Sequence, residues 1–263
     1  MSKYIIFIIK LSDFWVVKMA NNLRHKQILD ILAENGTVSV RALTKKLYVS
    51  EATIRRDFAE LEKQGALKRV FGGAKPIIET NKQVPLFIRE SVDAIAKSEI
   101  CRKAAELVKE GNSIFVDGSS TAQYLAKYFE KIKDITVVTY SIKTAEIMCR
   151  HHVKTYCTGG LIMENSLVCT GGEASDFADK INLDICFISC KGVDLEGNFS
   201  DTSAEETAVR RAFLKKSKRK VFLITGNKFG NSYFHCLCKA DEIDYLISDV
   251  EIPLTIKTRN NNF

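Results

Sequence analysis

The sequence has no apolar run long enough to cross a bilayer. Stretches 4–9 and 14–17 are apolar, but Lys10 and Asp13 interrupt them well short of the roughly 18 residues a span needs. No small-residue cleavage site follows, which argues against a secretory leader. The eight cysteines (Cys101, Cys149, Cys157, Cys169, Cys186, Cys190, Cys236 and Cys238) form no CxxC pair beside histidines. No zinc site is therefore expected, and their mostly apolar surroundings read as reduced, buried thiols. GxxxxGK[ST] and GxGxxG are both absent, which excludes a Walker loop and a dinucleotide turn. The four histidines, His25, His151, His152 and His235, show no catalytic partner, and no internal repeat is visible. Only three prolines occur; two of them, Pro76 and Pro85, fall in the poorly periodic stretch 76–92, which reads as a linker.

The 263 residues suffice for a small head and a body with its own core. Net charge is +7, and within 19–75 eleven basic residues against six acidic ones leave +5, so most of the excess sits in the head. A polyanionic partner fits that distribution.

From Ser50 onward, Ile54, Phe58 and Leu61 recur at i, i+4 and i+7, so they share one face of a helix spanning 50–64. The opposite face carries Thr53, Arg55 and Arg56 near its N-terminal end, where hydroxyl and guanidinium groups reach bases and phosphates in a major groove. Two helices precede it. One spans 22–34, with Ile28, Leu29, Ile31 and Leu32 inward and an Asn35-Gly36 stop; the other spans 40–46. Ser39 and Ser50 are placed as N-caps, and 47–49 is the short turn of a helix-turn-helix. Beyond Gly65, Leu67-Lys68-Arg69-Val70-Phe71-Gly72-Gly73 reads as a small hairpin, or wing, whose glycines allow close approach to a phosphate strand.

Val49-Ser50-Glu51-Ala52-Thr53-Ile54-Arg55-Arg56-Asp57, followed by 69–74, resembles the N-terminal domain of the DeoR family of bacterial transcription regulators. Phe71 stands where that family usually carries a histidine. The resemblance implies a recognition helix at 50–64 with Arg55 and Arg56 at the DNA. Candidate DNA contacts are Ser50, Glu51, Ala52, Thr53, Arg55 and Arg56 on the helix, and Lys68, Arg69, Gly72 and Gly73 on the wing. A solvated cationic face is the bland alternative. Asp57 is expected to orient an arginine or its own helix. The resemblance starts near Asn22 with Met19 just before it, so 1–18 reads as an extension from an extended or misassigned start.

In the body, strands are expected at 113–117, 135–139, 153–157, 185–190, 221–225 and 245–248, with helices at 93–109, 122–129, 142–150 and 205–216. Apolar strands alternating with amphipathic helices predict an α/β fold: a parallel sheet covered on both faces, with ligands at the carboxyl ends of the strands. Asp117-Gly118-Ser119-Ser120-Thr121 leaves a strand and enters a helix, so backbone amides and three hydroxyls converge on an anion, best a phosphate. The same residues also cap helices for structural reasons. Thr139-Tyr140-Ser141, Gly159-Gly160, Lys191-Gly192 and Lys228 lie at or just beyond other strand ends. Glu205, Glu206, Arg210 and Arg211 read as a solvated helix face.

Residues 93–249 resemble the DeoR-type sensor domain, a Rossmann-like fold similar to ribose-5-phosphate isomerase. The resemblance implies a phosphorylated sugar as effector, its phosphate held by Asp117, Gly118, Ser119, Ser120 and Thr121, with Thr139, Ser141, Lys191, Gly192 and Lys228 near the ligand. Tyr140 replaces a usual asparagine, and Thr225-Gly226-Asn227 replaces a usual Asp-Ser-Ser. The tail 250–263 lacks the family's final helix and strand, so one sheet edge is expected to close differently.

The expected function is a DNA-binding transcription regulator, a repressor of carbohydrate genes, cytoplasmic and nucleoid-associated when on DNA. No cofactor is expected. A single head offers too small an interface, so a dimer or higher oligomer on repeated half-sites follows. The competing reading is a sugar-phosphate isomerase with Asp117, Asp194 or Asp201 as base and Lys191 as electrophile. A reader of single-stranded RNA would need an aromatic pattern that the head lacks.

Overall fold

The computed structural model describes residues 23–25, 27–32, 35–63, 65–76 and 86–260. The extension at 1–18 and positions 77–85 of the expected linker lie outside them. The chain divides into two compact units, Met1–Val92 and Asp93–Phe263.

In the first unit, residues 23–25 and 27–32 form helix α1, followed by strand β1 (Val38–Ser39), α2 (Val40–Leu47), α3 (Glu51–Lys63), β2 (Leu67–Val70) and β3 (Gly73–Pro76). The strands pair antiparallel in the order β1-β3-β2. Ser39 Oγ accepts from the Ala42 amide and Ser50 Oγ from the Thr53 amide, so both expected caps form. Between the two helices, Tyr48 turns the chain at φ 55°, in the left-handed region. Ile54, Phe58 and Leu61 close onto Ile28, Leu29, Leu32 and Leu43 in one buried cluster, as the periodicity requires. That core sets the exposed face of α3.

The first unit ends with α4 (Leu86–Ser91), and the second begins with α5 (Ala94–Ala105) and β4 (Ser113–Val116). Helix α4 lies within 76–92, the stretch read as a linker, and buries Leu86. After β4, a 3-10 turn (Ala122–Leu125) runs into the one-turn helix α6 (Ala126–Phe129) where one continuous helix was expected. Then follow β5 (Thr136–Thr139), α7 (Ile142–Arg150), β6 (Lys154–Cys157), β7 (Leu161–Met163), β8 (Val168–Thr170), α8 (Gly172–Asp176), β9 (Leu183–Ile188), β10 (Gly192–Val193), β11 (Asn198–Asp201), α9 (Ala204–Lys216), β12 (Ser217–Ile224), β13 (His235–Lys239) and β14 (Tyr245–Ser248).

All six expected strands join one parallel sheet in the order β14-β12-β9-β4-β5-β6. The chain runs from β4 outward to β6, then returns to β9 and runs outward the other way. Strands β4 and β9 therefore flank a topological switch point, where open α/β sheets leave a crevice beyond their carboxyl ends. Alternate residues feed two cores: Ile114, Val116, Phe187 and Leu223 on one face, Phe115, Cys186, Ile188 and Phe222 on the other. Phe115 and Phe213 stack with centroids 4.0 Å apart, fixing α9 over β4.

Two antiparallel additions were not foreseen, the β7-β8 hairpin and the β10-β11-β13 sheet. Residues 250–260 add no strand beyond β14 but bury Ile256 against the core, and the Arg259 amide bonds to the Ile243 carbonyl. All eight cysteines are free thiols. Five are buried, as the apolar surroundings imply, whereas Cys149, Cys157 and Cys236 are exposed and depart from the buried reading.

Candidate nucleic-acid interface and ligand crevice

Glu51, Ala52, Arg55 and Arg56 lie exposed on α3, with Thr53 half-buried and Ser50 exposed just before it. Arg55 Nη2 pairs loosely with Glu51, 3.4 Å away, an exposed i,i+4 contact that yields readily to another anion. Asp57 points inward. It accepts Arg24 Nε at 2.6 Å and Arg24 Nη2 at 2.8 Å, and lies 3.1 Å from His25 Nε2, so the arginine it orients belongs to α1.

The wing is tied to α3 by Arg69. Its amide donates to Glu62 Oε1 at 2.8 Å and its Nε to Glu62 Oε2 at 2.6 Å, which holds the Glu62 carboxyl below the usual carboxylate range. Lys68 is exposed. Gly72 turns the tip at φ +74°. Gly73 is buried, and a Cβ there would lie 2.1 Å from the Val38 carbonyl oxygen, so its lack of a side chain serves strand pairing within the unit.

In the second unit, Asp117 follows β4 and is fully buried. Its two oxygens accept the amides of Ser119 and Ser189, each at 2.9 Å, bracing the loop 117–121 against the end of β9. Gly118 allows the loop to pass beneath the β8 hairpin: a Cβ there would meet Val168 Cγ1 at 2.4 Å and Ser141 Cβ at 3.1 Å. Ser119 Oγ accepts the Ala122 amide, a capping role, while Thr121 Oγ1 is buried without a hydrogen-bond partner. A short 3-10 turn and the one-turn helix α6 follow, so little helix dipole acts here and anion binding falls to amides and hydroxyls. Thr139 Oγ1 accepts the Ser141 amide and Ser141 Oγ caps α7 through the Thr144 amide; both residues are buried and shape the strand end.

Across the switch point, Lys228 Nζ donates to Ser189 Oγ at 2.8 Å, and Lys191 Nζ stands 4.6 Å from the Tyr233 ring centroid. Gly192 admits the 231–233 segment, since a Cβ would lie 2.5 Å from the Asn231 carbonyl oxygen. Both lysines and the 117–121 loop thus belong to strand ends that adjoin across the sheet.

A buried ion cluster gathers around α9, where the sequence reads as a solvated face. Arg210 on α9 donates to Tyr140 Oη (2.9 Å), Asp201 Oδ2 (2.7 Å) and Glu206 Oε2 (2.8 Å), and its Nε lies 3.7 Å from Asp117 Oδ2. Burial opposes the charge, yet the surrounding phenol and carboxylates hold the guanidinium well above its ordinary pKa, while burial pushes the Tyr140 phenol up. Arg210 and Glu206 are therefore not a solvated face. The signal was available: Glu206, Arg210 and Phe213 share the i, i+4, i+7 stripe that faces the core.

A winged helix-turn-helix head, followed by an α/β body whose parallel sheet reverses its strand order between β4 and β9, defines the class of DNA-binding transcription regulators that carry a separate sensor domain. Residues 24–80 match the DeoR-like helix-turn-helix domain and residues 93–250 the DeoR C terminal sensor domain. The chain belongs to the DeoR family. It is 32% identical over 231 residues to the HTH-type transcriptional regulator GolR of Listeria innocua, covering 87% of this chain and 91% of the relative. It is 25% identical over 239 residues to the glycerol-3-phosphate regulon repressor of Escherichia coli, covering 90% and 94%. Among solved structures, ribose 5-phosphate isomerase from Plasmodium falciparum is similar with a TM-score of 0.39, 16% identity and coverage of 51% of this chain and 52% of that one.

Proposed function

We propose that the chain represses carbohydrate genes and that a phosphorylated sugar in the β4-β9 crevice changes its DNA affinity. Glu51, Ala52, Thr53, Arg55 and Arg56 meet the major groove, while Ser50 caps the helix that presents them. Lys68 and Arg69 place the wing against the phosphate backbone, Gly72 turns its tip, and Gly73 lets the hairpin pack on β1. Amides and hydroxyls of 118–121 hold the phosphate, Asp117 positions them, and Lys191 and Lys228 supply positive charge; Thr139, Ser141 and Gly192 shape the walls. Two or more copies act on repeated half-sites, in the cytoplasm. No helix among the described residues is long and apolar enough to cross a membrane.

The observation that carries the proposal is the pairing of an exposed, rigidly capped cationic helix with a braced, hydroxyl-rich loop at the switch point. The relative named for a glycerol-3-phosphate regulon supports a small phosphorylated effector. An effector coupling of about 1–3 kcal/mol gives roughly 5- to 150-fold in DNA affinity.

The isomerase reading finds less support, because each candidate base is already engaged. Asp117 accepts two amides. Asp194 accepts the Glu196 and Asn198 amides and Asn198 Nδ2, which hold its carboxyl below the usual range although its partial burial opposes this. Asp201 accepts the Thr202 amide and Arg210. Selection of duplexes from a randomised pool by the full chain tests the DNA half. Recovery of a repeated motif, bound at least about 1 kcal/mol more weakly after Arg55→Ala, is expected; an unenriched pool, or equal affinity of the variant, contradicts it.

A further inference from the structure

Phe71 is fully exposed at the tip of the β2-β3 hairpin, where it contributes nothing to the core of its own unit. The tip is held firmly on three sides. The Gly72 carbonyl accepts the Val40 amide at 2.9 Å, Gly73 packs without a side chain on the Val38 carbonyl, and Arg69 is bonded to Glu62 of α3. An exposed aromatic ring on a mobile loop would be an ordinary surface residue. Here the ring is presented by a braced hairpin, beside partly exposed Val70 and among the exposed cations Lys68, Arg69 and Lys75.

An apolar tip inside a cationic collar matches one surface well: the phosphate walls and base edges of a DNA minor groove. Phosphates pair with the collar, and a ring wedged at a base step leaves water by partly unstacking that step. A four-residue strand reaches about 13 Å, comparable to the roughly 17 Å of half a DNA turn that separates a major groove from the next minor groove. Pyrimidine–purine steps yield most easily to such a wedge, so the ring selects sequence through deformability and not through hydrogen bonds.

We propose that Phe71 is a minor-groove wedge that partly unstacks a flexible base step beside the major groove occupied by α3. The inference rests on the DNA-binding reading given above. Its test uses the full chain and the duplex that chain selects from a randomised pool, with 2-aminopurine substituted in turn at each adenine flanking the half-sites. The parent is expected to raise the fluorescence at a defined step in each half-site. Phe71→Ala should abolish that rise and weaken binding more than about fivefold, with an unchanged salt dependence because no charge is removed; Phe71→Leu should retain part of both. Lys68→Ala should instead reduce the salt dependence and leave the fluorescence rise in place. If Phe71→Ala matches the parent in affinity and fluorescence while Arg56→Ala binds more weakly, the wedge is wrong and the DNA reading stands. A change in oligomeric state on Phe71→Ala, with DNA fluorescence unaltered, likewise overturns the wedge in favour of a protein contact. If the parent enriches no duplex, the DNA reading fails and the wedge fails with it.

Discussion

Asp117 and Ser189, at the carboxyl ends of neighbouring strands β4 and β9, are joined by a 2.9 Å hydrogen bond from the Ser189 amide to Asp117 Oδ2. The other carboxylate oxygen takes the Ser119 amide. One buried side chain thus joins the two banks of the crevice and sets the course of the loop between them. Asp117→Asn leaves one amide facing an NH2 group. The variant should lose about 1–3 kcal/mol of stability in chemical denaturation and all thermal stabilisation by sugar phosphates, while still binding DNA. Effector-induced stabilisation equal to that of the parent would contradict the role given to Asp117.

Gly118 and Val168 form a second test of the same loop. Gly118→Ala drives a methyl against Val168 Cγ1, so the loop must move and ligand binding should fall at least about tenfold, at a stability cost of about 1–3 kcal/mol. Val168→Ala opens that space, and the double variant should bind better than Gly118→Ala alone. Strict additivity of the two substitutions, measured by calorimetric titration, would count against steric contact as the cause.

Arg210 is the only cation that bonds Tyr140, Asp201 and Glu206 together among the described hydrogen bonds. Arg210→Met removes the guanidinium that balances the buried carboxylates and should cost about 3–5 kcal/mol. Tyr140→Phe removes a single bond and should cost about 1 kcal/mol. Denaturant midpoints for the two variants check the order, and a milder effect for Arg210→Met would show that the network is not structural.

The head carries a pH dependence through Asp57. Burial raises its pKa, but hydrogen bonds from Arg24 and then His25 outweigh burial and leave it below the ordinary value. A depressed carboxylate contributes stability that is fully present above its unfolded pKa of about 3.9 and is lost as pH falls through the folded value. Calorimetric melting of the parent between about pH 2 and 6 should therefore lose this contribution only below about pH 4, and Asp57→Asn should melt lower near neutrality with a flatter acid limb. Parallel curves for the two proteins would refute this assignment.

Much of this architecture is legible in the sequence because it is built from simple periodicities. Ile54, Phe58 and Leu61 repeat as a helix must, and Ser39 and Ser50 stand where caps belong. Strands buried on both faces, such as Val221 to Ile224, are unbroken apolar runs. The β10-β11-β13 sheet escapes because its first strand is two residues long and β11 carries a register shift between Phe199 and Ser200. The Arg210 cluster is only half legible: an i,i+4 Glu–Arg pair reads the same whether water or Asp117 lies beyond it, and only its alignment with Phe213 marks the buried stripe. Thr139 and Ser141 illustrate the converse. Their hydroxyls mark a strand end correctly, but they bond backbone amides there, which residue type alone does not reveal.

A sugar phosphate bound beyond the β4 and β9 strand ends is expected to alter DNA affinity. Fluorescence anisotropy of the selected duplex, titrated with the full chain with and without a panel of phosphorylated sugars, measures that coupling. At least one sugar phosphate should shift DNA affinity by roughly 5- to 150-fold, the unphosphorylated sugar should not, and Asp117→Asn should bind DNA without responding. Affinity unchanged by every sugar phosphate at saturating concentration, or an equal response in Asp117→Asn, would contradict it.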